Sequence, residues 1–225
     1  MTPHSNPSKR SAAAQDLADF ARFLYLQGWM PGTSGNLSVR LQHQQADTAL
    51  ITASGRDKGA LTADDSIVIH AISGTPQEVT ELKTSAETAI HTAIYDTTDA
   101  RAVIHVHSPY ATAIATRAAR GDRTAVVTLS QWELLKGLGL KDAAHTDVPV
   151  FRNWAHVPQI ADDIRSHLQN QADAAPGLLI AHHGITTWGG DLAQARNRLE
   201  CLEAIFQLLT LNAALQPADE ERPDR

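Results

Sequence analysis

Along the chain, stretches with apolar residues three and four apart alternate with shorter runs in which apolar positions alternate or cluster, and glycine-rich turns separate them. Residues 11 to 29 place Leu17, Phe20, Ala21 and Leu24 on one helical face, with Gly28 where a helix would stop. The runs NLSVRL, TALITAS and SIVIHAI are β-prone and bounded by turns, which predicts strands of a sheet. A helix is expected over about 85 to 96, then a strand at 102 to 107, a helix from Pro109 to about Arg117 and a strand at 124 to 130. Pro158 opens a further helix through Leu168, and GLLIAHHG reads as a buried strand. Asp191 reads as the N-cap of an apolar-striped helix to about Leu215. There is no internal repeat and no linker. The pattern therefore predicts one domain over residues 11 to 215, a sheet with helices on its faces, between a flexible segment 1 to 10 and a disordered tail 216 to 225.

Composition narrows what such a domain does. A formal charge of -6 with 20% charged residues argues against general binding to nucleic acid or to a membrane surface. The first residues lack the apolar core of a secretory signal, and no run approaches the roughly 20 apolar residues of a membrane span, so a cytoplasmic location is expected. The single cysteine, Cys201, excludes an internal disulfide and a cysteine-rich metal site. That leaves the eleven histidines as the soft ligands, and their placement becomes informative.

Two of them lie in AVIHVHS, residues 102 to 108. Strand alternation puts Val103, His105 and His107 on one side and Ile104 and Val106 on the other, so both imidazoles point the same way. A lone histidine pair on a strand is weak evidence. LLIAHHGITTWG adds a third imidazole at the end of an apolar run, and three neutral histidines with an open fourth position are the donor set of a catalytic zinc. His183, beside Gly184, is the candidate third ligand, with His182 its competitor; alternation would point His182 away.

The turns GTSGN (32 to 36) and TASGRDKG (52 to 59) combine small residues, which let backbone N–H groups approach an anion, with hydroxyls and with Lys58. They suggest a phosphate cradle, and neither fits a Walker or dinucleotide fingerprint. Two carboxylates stand out. Glu87 follows Thr84 at capping-box spacing, so it is either a helix-start residue or a functional one. Glu133 lies among Trp132, Leu134 and Leu135, apolar surroundings that would raise a carboxyl pKa towards the range useful for proton transfer, unless it lies on a solvated helix face. Lys136 and Arg196 read as solvated or interface charges, and Cys201 as packing.

GNLSVR, ITASGRDKG, KTSAETAIH, AVIHVHS, the WELLKG segment and HHGITTWG, in this order, resemble the class II aldolase and adducin-type superfamily over about residues 14 to 210. Within it they look most like the methylthioribulose-1-phosphate dehydratases of methionine salvage. The resemblance implies a three-layer α/β/α sandwich around a mainly antiparallel sheet, and a homotetramer with its metal site near a subunit boundary. It implies one zinc per subunit on His105, His107 and His183, with Glu133 as the dehydratase's acid/base residue. Glu87 matches the catalytic glutamate of the aldolases. Substrate contacts are expected from Asn36, Ser54, Gly55, Lys58 and Ser85. Two rivals share the fold: an aldolase or epimerase acting on another sugar phosphate through Glu87, and a metal-free adducin-like interaction module, against which the three histidines argue.

Overall fold

The structure, a computed structural model, describes residues 7–41, 47–121, 124–171 and 174–215. Residues 1–6 and the tail 216–225, for which flexibility and disorder are expected, lie outside the described residues. The first helix, α1 (Pro7–Leu26), starts before the segment its apolar stripe marks, and buries Leu17, Ala21 and Leu24. It ends as the sequence predicts: Gly28 adopts φ +76°, and the Trp29 N–H reaches back to the Leu24 carbonyl at 3.1 Å. Next come β1 (Asn36–Leu41), β2 (Thr48–Thr52), β3 (Ser66–His70), α2 (Thr88–Thr97), β4 (Ala102–Val106) and α3 (Pro109–Ala118). The chain continues with β5 (Ala125–Ser130), β6 (His145–Phe151), α4 (Val157–Asn170), β7 (Gly177–Ile180), β8 (Gly184–Gly189) and α5 (Leu192–Leu215).

The strands form one eight-stranded sheet in the order β3-β2-β1-β4-β8-β7-β6-β5, antiparallel throughout except for the β6–β7 pair. Apolar residues of α1, α3 and α5 build the core on one face, and those of α2 and α4 build the core on the other. This is the α/β/α sandwich with a mainly antiparallel sheet that the sequence implies. Alternation holds along β4, where Ile104 and Val106 enter the first core and Val103 the second.

Two parts of the sheet depart from the sequence reading. The strand β6 is unanticipated because its run, HTDVPVF, carries Pro149 in the middle, which argues against a strand; pairing with β5 on one side and β7 on the other imposes it. GLLIAHHG is not a single strand either. β7 stops at Ile180, residues 181 to 183 form a turn, and β8 runs back antiparallel to it. Within that turn His182 takes φ +58°, so its outward direction follows from a left-handed backbone and not from strand alternation. Gly184 is needed there, since a Cβ would lie 2.1 Å from the Val106 carbonyl oxygen. The Asp191 cap is present: its Oδ1 accepts from the Gln194 N–H at 2.7 Å.

Candidate metal centre and adjoining pocket

β4 lies between β1 and β8 in the middle of the sheet, and its register sets Asn36, His105 and Thr186 abreast on three neighbouring strands. His107 stands one residue beyond the strand, its backbone N–H donating to the Trp29 carbonyl at 2.9 Å. The segment that follows is fixed from a distance. Glu203, buried on α5, accepts from the Ser108 hydroxyl at 2.8 Å and from the N–H groups of Tyr110 and Ala111 at 2.9 and 2.8 Å, capping α3 where no local side chain does. The β7–β8 turn brings in His183 and leaves His182 exposed.

The three rings stand edge to face with centroids 4.5 to 5.1 Å apart. Glu87 joins them, its Oε1 at 2.7 Å from His183 Nε2 and 3.6 Å from His105 Nε2. One donor atom from each of the four residues falls within 4.8 Å of all the others. His105 Nε2 and His183 Nε2 face each other at 3.3 Å, and His107 Nε2 is buried with no partner. Nitrogens that converge on one point, one of them orphaned, fit a cation between them, so this cluster could hold a divalent metal ion. Thr186 Oγ1, 2.9 Å from His105 Nδ1, completes the ligand's outer contact: with Nδ1 protonated towards the threonine, Nε2 is free for a metal.

Electrostatics agree with that use. Burial pushes the His105 imidazole down to about 3, with Glu87 opposing, and it also lowers His107, so both are neutral ligands at pH 7. For Glu87 burial alone would raise the pKa. The imidazoles of His105 and His183, with the Asn36 amide, outweigh it and hold the carboxyl well below the usual range. The Thr84–Glu87 capping box does not form. Glu87 is itself the residue before α2, its side chain makes no cap, and its N–H is taken by the Ser85 hydroxyl at 3.2 Å.

The two glycine-rich turns meet beside the cluster around a small cavity of about 70 Å³, lined by Thr33, Ser34, Asn36, Ser54, Lys58 and Ser85, with Glu87 and His107 at its edge. Lys58 is only 1% exposed. Its ammonium donates to the carbonyls of Thr33 and Arg56, both at 2.9 Å, and so ties one turn to the other; burial lowers its pKa. It braces the two turns together and at the same time lines the cavity between them. Asn36 has its amide committed to Glu87 and His91, at 2.5 and 2.6 Å. Gly55, with φ +71°, is exposed at the tip of its turn and does not line the cavity.

Glu133 is elsewhere. It opens a short 3-10 turn, Glu133–Leu138, after the edge strand β5, four strand positions from β4, which is about 19 Å at ~4.8 Å per strand. Its side chain is 82% exposed and paired with Lys136 at 2.7 Å, so the apolar surroundings inferred from Trp132, Leu134 and Leu135 are not found within the chain. Sequence neighbours in a turn point in different directions, and Leu135 alone of these is fully buried. A larger cavity of about 890 Å³ opens at the opposite ends of the strands, among Thr98, His145, His167, Trp188 and Arg198, and contains none of the expected site residues. Thr186, His91 and Ser38 escaped the sequence reading, although a polar residue in each buried run was the available signal.

The chain belongs to the class II aldolase and adducin N-terminal domain family, which it matches over residues 15–210. Among its relatives, a methylthioribulose-1-phosphate dehydratase of Bacillus cereus is 39% identical over 193 residues, covering 85% of this chain and 86% of that protein. A Nocardia farcinica protein described as a probable bifunctional methylthioribose-1-phosphate isomerase/methylthioribulose-1-phosphate dehydratase is 50% identical over 208 residues. That match covers 92% of this chain and 36% of the longer relative. Solved structures with the same fold include an L-fuculose 1-phosphate aldolase (26% identity, TM-score 0.73, 95% of this chain and 91% of that one). The L-fuculose-1-phosphate aldolase of Thermus thermophilus is similar too (25% identity, TM-score 0.69, 94% and 99% covered). No helix among the described residues is long and apolar enough to cross a membrane.

Proposed function

We propose that this chain is a zinc-dependent methylthioribulose-1-phosphate dehydratase of methionine salvage, converting 5-methylthioribulose 1-phosphate to 2,3-diketo-5-methylthiopentyl 1-phosphate. The observation that carries the reading is the convergence of Glu87, His105, His107 and His183 beside a small polar pocket. The dehydratase relatives, 39% and 50% identical, supply the substrate. His105, His107 and His183 would hold the zinc, one per subunit of a cytoplasmic homotetramer. Bound there, the metal supplies a Lewis acid for the C2 carbonyl oxygen, which acidifies the proton on C3.

The remaining work falls to the protein. Glu87, kept as a carboxylate, takes the C3 proton. The phosphate sits against the backbone and hydroxyls of the two glycine-rich turns, Ser54 among them, and the Ser85 hydroxyl before α2, in the register that Lys58 sets by bracing Thr33 to Arg56. The C4 hydroxyl leaves as water with a proton from Glu133, and the resulting enol tautomerises to the diketone. Because Glu133 is exposed at the far edge of its own sheet, it serves the metal centre of a neighbouring subunit in the tetramer.

A second reading has one observation in its favour. Within one chain Glu87 lies at the metal cluster and Glu133 does not, as an aldolase or epimerase using Glu87 alone would require. The deciding experiment incubates the purified, zinc-loaded protein with methylthioribulose 1-phosphate and follows diketone formation and carbon–carbon cleavage in the same sample. Dehydration without cleavage is expected, and a dephosphorylated substrate should be far poorer. Cleavage products without diketone would overturn the dehydratase reading.

A further inference from the structure

A line of polar side chains runs away from the metal cluster through the interior of the protein. The N–H donor of Asn36 meets Glu87 Oε2 at 2.5 Å, Asn36 Oδ1 meets His91 Nε2 at 2.6 Å, His91 Nδ1 meets Ser38 Oγ at 2.7 Å, and Ser38 Oγ meets the Tyr95 hydroxyl at 2.7 Å. All four relay residues are at most 3% exposed. Two matching periodicities build it. Glu87, His91 and Tyr95 are spaced by four along the start and face of α2, about 6 Å apart, while Asn36 and Ser38 are spaced by two along β1, about 6.7 Å apart. Helix face and strand face therefore stay in step over two repeats.

The hydrogens in this line have only one consistent arrangement with a neutral imidazole. A carboxylate only accepts, so Asn36 must present its NH₂ to Glu87 and its carbonyl to His91. His91 must then donate from Nε2, which leaves Nδ1 as a lone pair. Ser38 spends its single hydrogen on that lone pair and accepts in turn from Tyr95. Every donor points towards Glu87. Burial pushes the His91 pKa down to about 4, in keeping with a neutral ring. A buried polar line of this kind is stable only when each member is satisfied; here the direction never reverses, and the second hydrogen of the Asn36 amide faces the Ser85 hydroxyl at 3.4 Å.

We infer that Tyr95, Ser38, His91 and Asn36 form a one-way hydrogen-bond relay in which the Nε2–H tautomer of His91 positions the Glu87 carboxylate at the metal cluster. His91 is a positioning residue: it touches neither metal ligand nor cavity, and acts through Asn36. The same geometry commits the Asn36 amide to the relay, although the residue also lines the cavity.

The relay itself is independent of the substrate, while its effect on turnover rests on the dehydratase reading, so the test has two separate readouts. Long-range nitrogen–proton NMR on the uniformly ¹⁵N-labelled full chain, with His91 assigned through a His91→Gln variant, reports the tautomer directly. A single Nε2–H form at pH 7 is expected. An Nδ1–H or doubly protonated ring would overturn the relay. In zinc-loaded protein Ser38→Ala should lower kcat about 10- to 100-fold with little change in KM or zinc content, and Ser38→Thr, which restores the hydroxyl, should recover most of it. Parental kcat in Ser38→Ala, or a loss confined to thermal stability, would overturn the positioning role. Were the parent to turn over no methylthio sugar phosphate, the functional reading would fall, and the tautomer would still decide the relay.

Discussion

At the scale of single residues, the cluster makes a sharp distinction between adjacent histidines. His105→Ala, His107→Ala and His183→Ala should each lose bound zinc and activity together, because three imidazole nitrogens converge on one ion. His182→Ala should keep both, since its side chain is turned out by a left-handed backbone. Elemental analysis of the four purified variants tests this; normal zinc in His183→Ala would move the third ligand elsewhere. His91 gives a prediction of a different kind. Its pKa falls from 6.5 to about 4 on folding, so between these values the unfolded chain binds a proton that the native ring does not, and stability falls as pH is lowered through that window. The loss from this group alone is about 2 kcal/mol between pH 7 and pH 5, is nearly complete by pH 4, and is absent above pH 7. His105 and His107, also lowered by burial, add to the same fall, so urea unfolding of the parent and of His91→Gln at pH 7 and pH 5 isolates the His91 share, and an equal pH dependence in the two proteins would contradict the burial of a neutral ring at this position.

At the scale of elements, the loop after β4 depends on a contact 92 to 95 residues away in sequence, the Glu203 carboxylate of α5 against Ser108, Tyr110 and Ala111. Glu203→Ala leaves the buried Ala111 N–H and Ser108 hydroxyl and the half-buried Tyr110 N–H without an acceptor, at a cost of about 2 to 4 kcal/mol. His107 is joined to that loop, so the same variant should bind zinc more weakly in its folded fraction. Glu203→Gln, which keeps one acceptor oxygen, should fall between the two. Denaturant unfolding followed by zinc titration separates the effects, and a Glu203→Ala protein as stable as the parent would show that α3 is held by packing alone.

At the scale of the whole molecule, the two carboxylates of the proposed mechanism belong to different surfaces. Glu87 is enclosed with the histidines, and Glu133 stands exposed beyond the edge strand, beside the exposed Leu134 in sequence. If Glu133 serves a neighbouring subunit, Glu87→Gln and Glu133→Gln should each be nearly inactive, by about 10² to 10⁴. Co-expressed, they should regain activity in mixed oligomers, where some sites combine an intact Glu87 with an intact Glu133. Mixing after separate purification, without subunit exchange, should restore nothing. Full activity of Glu133→Gln would remove it from the mechanism and favour the aldolase or epimerase reading.

Much of this was legible in the chain because local rules governed it. Periodicity located α1, α3 and α5, the cap at Asp191 and the stop at Gly28 follow from side-chain and backbone chemistry of single residues, and period-2 alternation sent His105 inward with Ile104 and Val106 opposite. What alternation could not decide was the path of HHG, which depends on β8 folding back on β7 with Gly184 against Val106. Nor could sequence spacing tell that Glu87 faces the histidines while Glu133 faces solvent. Both sit at a helix start, Glu87 just before α2 and Glu133 opening a 3-10 turn, and only the packing of α2 over β1 and the position of β5 at the sheet edge separate them. The relay through His91 belongs wholly to tertiary structure, because it requires a helix repeat of four and a strand repeat of two, taken from segments about 50 residues apart, to be laid side by side.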